Sequence, residues 1–328
     1  MKPVTQIWPA EFARRYREKG YWTGQTFPEI LQARVQDHPH RVAVVDQDKS
    51  WTYAQLYQRA EQHAAGFLAR GLQPGDRVLV QMGNVAEFLS VVFGLFRAGL
   101  IPVYALPAHR LNEVRHLLQK SEAVAYITMG DYGGFDYRVL ARQLKDEVAS
   151  LHHVIIAGDC TTFTPLDECV AEPVDLPDLC DPSHVAFMQI SGGSTGLPKL
   201  IARTHNDYIY SFRASNEICA VNQDSVYLVA LPVAHNFPMS SPGYMGTIYA
   251  GGKVVMAPSG DPQACFPLIE KEKVTISGLV PPLARLWLDA ANSGKFHTDL
   301  SSLETLLVGG AKFDEITARR IKPVLGCQ

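Results

Sequence analysis

A chain of 328 residues that is 47% hydrophobic and 19% charged can bury one large core or two ordinary ones, as a globular protein does. Its formal net charge of -3 leaves no electrostatic footprint for nucleic acid or an anionic membrane, so any phosphate it binds must be held locally. Met1–Pro9 has no apolar core before a cleavage site, and no later apolar run approaches membrane-spanning length, which points to a cytoplasmic protein with no membrane partner.

In chain order, Leu56, Ala60, Ala64, Phe67 and Leu68 form one helix face that ends at Arg70-Gly71. Pro74-Gly75-Asp76 turns the chain into the strand Arg77–Met82, and a helix carrying Phe88, Val92, Leu95 and Phe96 leads to the strand Ile101–Ala105. Val124–Ile127 and Val154–Ala157 supply two more strands. Between Thr161 and Pro182 the rhythm breaks into prolines, acids and threonines, as at a crossing between subdomains. The expected domains are therefore 1–180 and 181–328. The second restarts with the strand Val185–Ile190. Helices around Asn206–Cys219, Pro262–Glu272 and Pro281–Asn292 then alternate with strands at Val226–Val229, Val254–Met256, Val274–Ile276 and Leu306–Val308. Pro323–Gln328 reads as a strand just beginning. The alternation predicts an α/β fold with largely parallel sheets flanked by helices.

The densest chemical signal is Ser191-Gly192-Gly193-Ser194-Thr195-Gly196-Leu197-Pro198-Lys199, which would leave the sheet at the carboxyl edge of its strand, where open α/β folds bind ligands. Glycines let backbone N–H groups close on an anion, hydroxyls add donors, and the lysine adds a mobile charge. The P-loop pattern is not met, because Leu197 and Pro198 separate Gly196 from Lys199 and a leucine follows. A second constellation, His235-Asn236-Phe237-Pro238-Met239-Ser240-Ser241, lies between a strand and a helix, where Asn236, Phe237, Ser240 and Ser241 would line a small-molecule pocket. Beside a phosphate loop, His235 joins Lys199 as a candidate catalytic group. A third, Val308-Gly309-Gly310-Ala311-Lys312, places paired glycines at a strand end, where a flat ring can approach the backbone closely. There is no H-E-x-x-H and no Rossmann glycine fingerprint. His152-His153 and the scattered cysteines, Cys160, Cys169, Cys180, Cys219, Cys265 and Cys327, lack metal-ligand spacing, so no protein-held metal is expected.

These three segments, with Trp51-Thr52-Tyr53-Ala54-Gln55-Leu56 and Ala98-Gly99-Leu100-Ile101-Pro102-Val103, resemble in order and spacing the core motifs of adenylate-forming enzymes, the superfamily of acyl-CoA synthetases, luciferases and nonribosomal adenylation domains. More narrowly, Pro9–Trp22, Arg203–Tyr208 and Ala234–Gly243 resemble the 2,3-dihydroxybenzoate–AMP ligases of catechol siderophore biosynthesis, over about Trp8 to Gln328. The resemblance implies that ATP and an aryl acid give an aryl-adenylate and pyrophosphate, and that the acyl group passes to the phosphopantetheine thiol of an aryl carrier protein. It further implies that Ser191–Gly196 and Lys199 hold the β- and γ-phosphates with Mg²⁺ sharing the charge, that Gly310, Ala311 and Lys312 border adenine and the aryl ring, and that Asn236, Phe237, Ser241 and the Gly309-Gly310 pair line the acid pocket. Salicylate-activating relatives usually carry cysteine at the position of Ser241.

Family members continue through an aromatic-Gly-x-x-Glu motif, a ribose-binding aspartate, a hinge and a small domain with a catalytic lysine, none of which occurs here. The expectation is therefore an N-terminal fragment, incomplete in its second subdomain and inactive alone. A salicylate or acyl-CoA ligase is the alternative within the class. A ligand-binding or interaction module without turnover is the alternative outside it.

Overall fold

The computed structural model describes residues 7–47, 49–173, 176, 178–191 and 198–327. Helices α1 (Ala10–Glu18) and α2 (Phe27–Asp37) come first, followed by strands β1 (Val42–Val45) and β2 (Ser50–Thr52). Helix α3 (Tyr53–Ala69) leads to β3 (Arg77–Gln81), α4 (Ala86–Arg97) to β4 (Ile101–Tyr104), and α5 (Leu111–Ser121) to β5 (Ala125–Met129). A small hairpin of β6 (Asp131–Tyr132) and β7 (Phe135–Asp136) precedes α6 (Tyr137–Glu147), β8 (His153–Ala157) and β9 (Thr164–Pro165). Strands β10 (Val185–Ser191) and β11 (Lys199–Thr204) are followed by α7 (His205–Ile218), β12 (Val226–Val229), α8 (Asn236–Ser240), α9 (Gly243–Ala250) and β13 (Lys253–Met256). The remainder is α10 (Pro262–Glu272), β14 (Ile276–Leu279), α11 (Pro281–Asn292), β15 (Thr305–Val308) and α12 (Glu315–Leu325).

The chain folds into two compact units. The first comprises residues Met1–Gln32, Gln55–Gly83 and Glu87–Tyr210. Among the described residues it holds a seven-stranded sheet in the order β11-β10-β4-β3-β5-β8-β9, parallel except where β11 runs antiparallel to β10. Strand β3 is buried along its whole length, as a strand covered on both faces must be. Helix α5 buries Val114, Leu117, Leu118 and Ser121, spaced at i, i+3, i+4 and i+7, and the first three pack with Leu140 and Leu144 of α6 against Leu79, Val103, Tyr126 and Ile156.

The second unit comprises Ala33–Ala54, Asn84–Ala86 and Ser211–Gln328. Its six-stranded sheet runs β15-β14-β12-β13-β1-β2, parallel from β15 to β1 and antiparallel at the β1–β2 edge. Leu228, Val255, Leu279 and Leu306 of the sheet pack against Phe266 and Ile269 of α10, Trp287 and Leu288 of α11, and Ile321 and Leu325 of α12. Pro262 and Pro281 sit at the first turns of α10 and α11, where a missing N–H is harmless.

Three expectations change. The expected border at 180/181 falls instead at Tyr210/Ser211, because β10 pairs with β4 and β11 with β10 to complete the first sheet, and the earlier segments 33–54 and 84–86 belong with the second. The expected strand at Val274 begins at Ile276, since Lys273 caps α10 in the left-handed region (φ 54°) and the Val274 N–H bonds back to Ile269 O at 3.1 Å. The terminal Pro323 segment is no strand. It is the last turn of α12, whose buried face Thr317, Ile321 and Leu325 repeats every fourth residue and is closed by Gly326 at φ 77°.

Candidate functional site

In the first unit, β10 and β11 form a hairpin in which Ser191 pairs with Lys199, Ile190 with Leu200 and Gln189 with Ile201. Because β10 is parallel to β4, Ser191 lies at the carboxyl edge of the sheet, half-buried, while Lys199 is exposed at the start of the return strand. The sequence put no strand after the loop, since the run from Lys199 to Thr204 has only three adjacent apolar residues, Leu200, Ile201 and Ala202, and no alternation to mark a strand. The expected phosphate ligands Gly192, Gly193, Ser194, Thr195 and Gly196 lie outside the described residues. Just after them, Pro198 O accepts a hydrogen bond from the His116 Nε2–H of α5 at 3.1 Å.

In the second unit, Asn84 organises the approach to the His235 segment. Its Nδ2 donates to Val229 O, Leu231 O and Ala257 O at 3.1, 3.0 and 2.9 Å, and its Oδ1 accepts the Val233 N–H at 2.8 Å. The carboxyl ends of β12 and β13 and the strand exit that follows are thereby tied to one buried amide. His235 emerges exposed as the N-cap of α8, with Nδ1 accepting the Phe237 N–H at 3.3 Å. Partial desolvation of its ring lowers its pKa from the usual imidazole value, in keeping with a neutral acceptor. Asn236 is exposed and Ser240 buried. Ser241, half-buried at the C-cap, donates its N–H to Phe237 O at 3.2 Å, and its hydroxyl has no hydrogen-bond partner among the described residues. Gly243 sits at φ 64° where a Cβ would lie 2.3 Å from Pro238 O, so only glycine lets α9 start this close behind α8.

Phe237 and Gly309 are brought together. A Cβ on Gly309 would stand 3.3 Å from the Phe237 ring, and one on Gly278, in β14, 3.4 Å from the ring and 3.2 Å from the Tyr227 hydroxyl. The flat ring that approaches the strand-end glycines is thus the protein's own. The Tyr227 hydroxyl is buried without a partner, and burial raises its pKa far above the phenol range. Gly310, Ala311 and Lys312 lie exposed on the turn between β15 and α12, with Gly310 at φ 85°. Sequence reading missed Asn84, Tyr227, Gly278 and His116. Gly278 alone carried a signal, since a glycine inside a strand pattern marks a close approach to the backbone. No cluster of His, Cys, Asp or Glu able to hold a metal ion occurs among the described residues.

Residues 31–328 match the family described as "AMP-binding enzyme", and the chain belongs to that family. It is 52% identical over 320 residues to the 2,3-dihydroxybenzoate-AMP ligase of Bacillus subtilis, covering 98% of this chain and 59% of that protein. With the vibriobactin-specific 2,3-dihydroxybenzoate-AMP ligase of Vibrio cholerae it shares 47% identity over 325 residues, again 98% of this chain and 59% of the relative. Among solved structures, apo MbtA of Mycobacterium smegmatis superposes with a TM-score of 0.90 at 41% identity, covering 100% of this chain and 59% of that one. The chain therefore spans about three-fifths of the length of the relatives it matches.

Proposed function

We propose that this chain is the ATP- and aryl-acid-binding portion of an adenylating ligase that activates 2,3-dihydroxybenzoate and passes it to an aryl carrier protein. The carrying observation is Ser241: a half-buried hydroxyl without a protein partner, four residues beyond a phenylalanine laid on strand-end glycines. An aryl ring lying by Phe237 would bring its 3-hydroxyl to that oxygen. Salicylate has no such group and would leave the serine unpaired, at a cost of about 1–3 kcal/mol or roughly tenfold to a hundredfold in preference.

In the reaction, a carboxylate oxygen of the acid attacks the α-phosphorus of ATP, the bond to the β-phosphate oxygen breaks, and pyrophosphate leaves. The carrier's thiol then attacks the acyl carbon, and AMP departs with the C–O bond electrons. Two anions must be aligned, and charge moves onto pyrophosphate. Ser191 and the exposed Lys199, paired across β10 and β11, would offer a donor and a cation to the β- and γ-phosphates, with Gly192–Gly196 expected from their composition to add further donors. Mg²⁺ would be held chiefly through the phosphate oxygens and would share their charge. His235, neutral and fixed as a helix cap, and Asn236 beside it would face the acid, while Gly310, Ala311 and Lys312 would border adenine.

The test is calorimetric titration of 2,3-dihydroxybenzoate and salicylate into the protein, with ATP–pyrophosphate exchange across a benzoate panel in the full-length enzyme. Preferential use of 2,3-dihydroxybenzoate is expected. Equal use of both acids would remove Ser241 from the assignment, and exchange only with aliphatic acids would remove the aryl reading.

A further inference from the structure

Helix α5 and the β10–β11 hairpin share one apolar layer in the first unit: Ile190, Leu200 and Ala202 pack on the cluster that holds Val114, Leu117 and Leu118. Side chains alternate along a strand, so Lys199 and Ile201 point to the opposite face, and both are exposed. Lys199 thus turns its side chain away from α5. What α5 reaches is the backbone behind it.

His116 is half-buried on α5, beside the inward-facing Leu117, and its Nε2–H donates to Pro198 O at 3.1 Å. A carbonyl only accepts, so the ring proton sits on Nε2. Pro198 O and the Lys199 N–H belong to one planar peptide unit, which this bond orients. The cross-strand ladder gives no such hold at Pro198: among the described residues it ends on the Ser191–Lys199 pair, and a proline has no N–H with which to add a rung. Lys199 is therefore held from two sides, by Ser191 across the hairpin and by His116 through the peptide bond that precedes it. The helix carrying His116 is itself set. Glu113 Oε2 accepts the Arg110 N–H at 3.1 Å at its first turn, Glu122 closes its end in the left-handed region at φ 50°, and its buried face fastens it to the sheet.

We infer that His116 is a positioning residue for the phosphate-binding lysine: without touching ATP, it holds the Pro198–Lys199 peptide so that the Lys199 ammonium meets the β- and γ-phosphates. The inference rests on the adenylation reading and adds to it a residue from a helix that none of the motif segments includes. A lysine ammonium is a point charge on a flexible stem, so releasing its backbone changes how often it meets the phosphate rather than whether it can. The expected effect is accordingly modest, that of one hydrogen bond.

The test is ATP–pyrophosphate exchange by the full-length enzyme. His116→Ala should raise the KM for ATP about threefold to tenfold and leave the KM for 2,3-dihydroxybenzoate unchanged, because the lost bond lies behind the phosphate ligand alone. His116→Gln, which returns an amide N–H donor from the same helix position, should recover most of the ATP value. Added to Lys199→Ala, His116→Ala should change the KM for ATP by less than about twofold, since the group it positions is gone. A merely structural role would produce neither the split between the two substrates nor the coupling with Lys199. An unchanged KM for ATP in His116→Ala, equal rises for both substrates, no recovery in His116→Gln, or a full effect on the Lys199→Ala background would each overturn the inference and leave the adenylation reading standing. No exchange by the unaltered enzyme with any carboxylic acid would overturn both.

Discussion

Replacing Asn84 tests whether the His235 segment is positioned from a distance. The amide is 7% exposed, and its nitrogen, with two hydrogens, is shared among three carbonyls while its oxygen holds the Val233 N–H. In Asn84→Ala, Val229 O keeps a second donor, the Ala257 N–H at 3.2 Å, but Leu231 O, Ala257 O and the Val233 N–H lose the partner seen here. Each buried polar group left unsatisfied costs about 1–3 kcal/mol. Water entering the vacated space favours the lower figure, giving a loss of about 3 kcal/mol, a large part of an ordinary domain's stability of ~5–15 kcal/mol.

Asn84→Asp sharpens the test, because it keeps the acceptor for Val233 and the volume but turns a donor into an oxygen facing three carbonyls. The introduced carboxyl is tolerated when protonated, so its pKa in the folded protein rises above the ordinary value of about 3.9. The unfolded chain then releases its proton first, and stability relative to the parent is retained near pH 4 and lost as pH rises toward 7. Urea unfolding followed by tryptophan fluorescence at pH 4 and 7 reads both variants, and titration of 2,3-dihydroxybenzoate reads the effect on the loop. A loss below about 1 kcal/mol in Asn84→Ala, or an Asn84→Asp variant insensitive to pH, would refute the reasoning.

Lys199 is exposed, so Lys199→Ala should change stability by no more than about 0.5 kcal/mol while weakening ATP binding; a large fall in melting temperature would make it a structural residue instead. Ser241→Cys should narrow the preference for 2,3-dihydroxybenzoate over salicylate, measured as the ratio of kcat/KM in the full-length enzyme, and an unchanged ratio counts against the pocket assignment. Gly309→Val places carbon where a Cβ already stands 3.3 Å from the Phe237 ring, so displacement of the ring and weaker acid binding are expected by calorimetry. Burial pushes the His205 imidazole down to about 3, so between about pH 6.5 and 3 the unfolded chain binds a proton that the folded chain refuses. Stability should therefore fall on acidification, by about 2 kcal/mol from pH 7 to 5 on this account, and His205→Gln should flatten that slope in urea melts at the two pH values.

Elements buried on both faces were the most legible in sequence. Arg77–Gln81 and Val226–Val229 are short apolar runs bounded by turn residues, and both are central parallel strands. Where two signals compete, the local one misled. The run from Pro323 to Gln328 reads as a strand just beginning, yet Thr317, Ile321 and Leu325 bury a continuous helix face, and a proline in the last turn forfeits only one backbone bond. Unit membership was less legible, because it depends on which strands pair across long stretches of chain. Val44 and Val45 of β1 align with Val254 and Val255 of β13, and no spacing within either segment announces that pairing.

At the candidate site, the residues that could contact ligand stood out through composition, whereas those that hold them in place did not. The glycine-rich loop and the His235–Ser241 run are unusual as strings. Asn84 is an ordinary asparagine in a turn until β12 and β13 converge on it, and Tyr227 is one more aromatic in a strand until Gly278 leaves room beside its hydroxyl. Ligand chemistry selects residue types that local sequence displays, while positioning is a matter of unsatisfied backbone groups meeting in space. The same distinction applies to Asn84 itself, which stands 145 positions before Val229 and 173 before Ala257 and meets their carbonyls only because β12 and β13 lie side by side. Side chains that complete one another's valences across such separations become visible when the sheet order is known, and each predicts a perturbation that leaves local sequence patterns untouched.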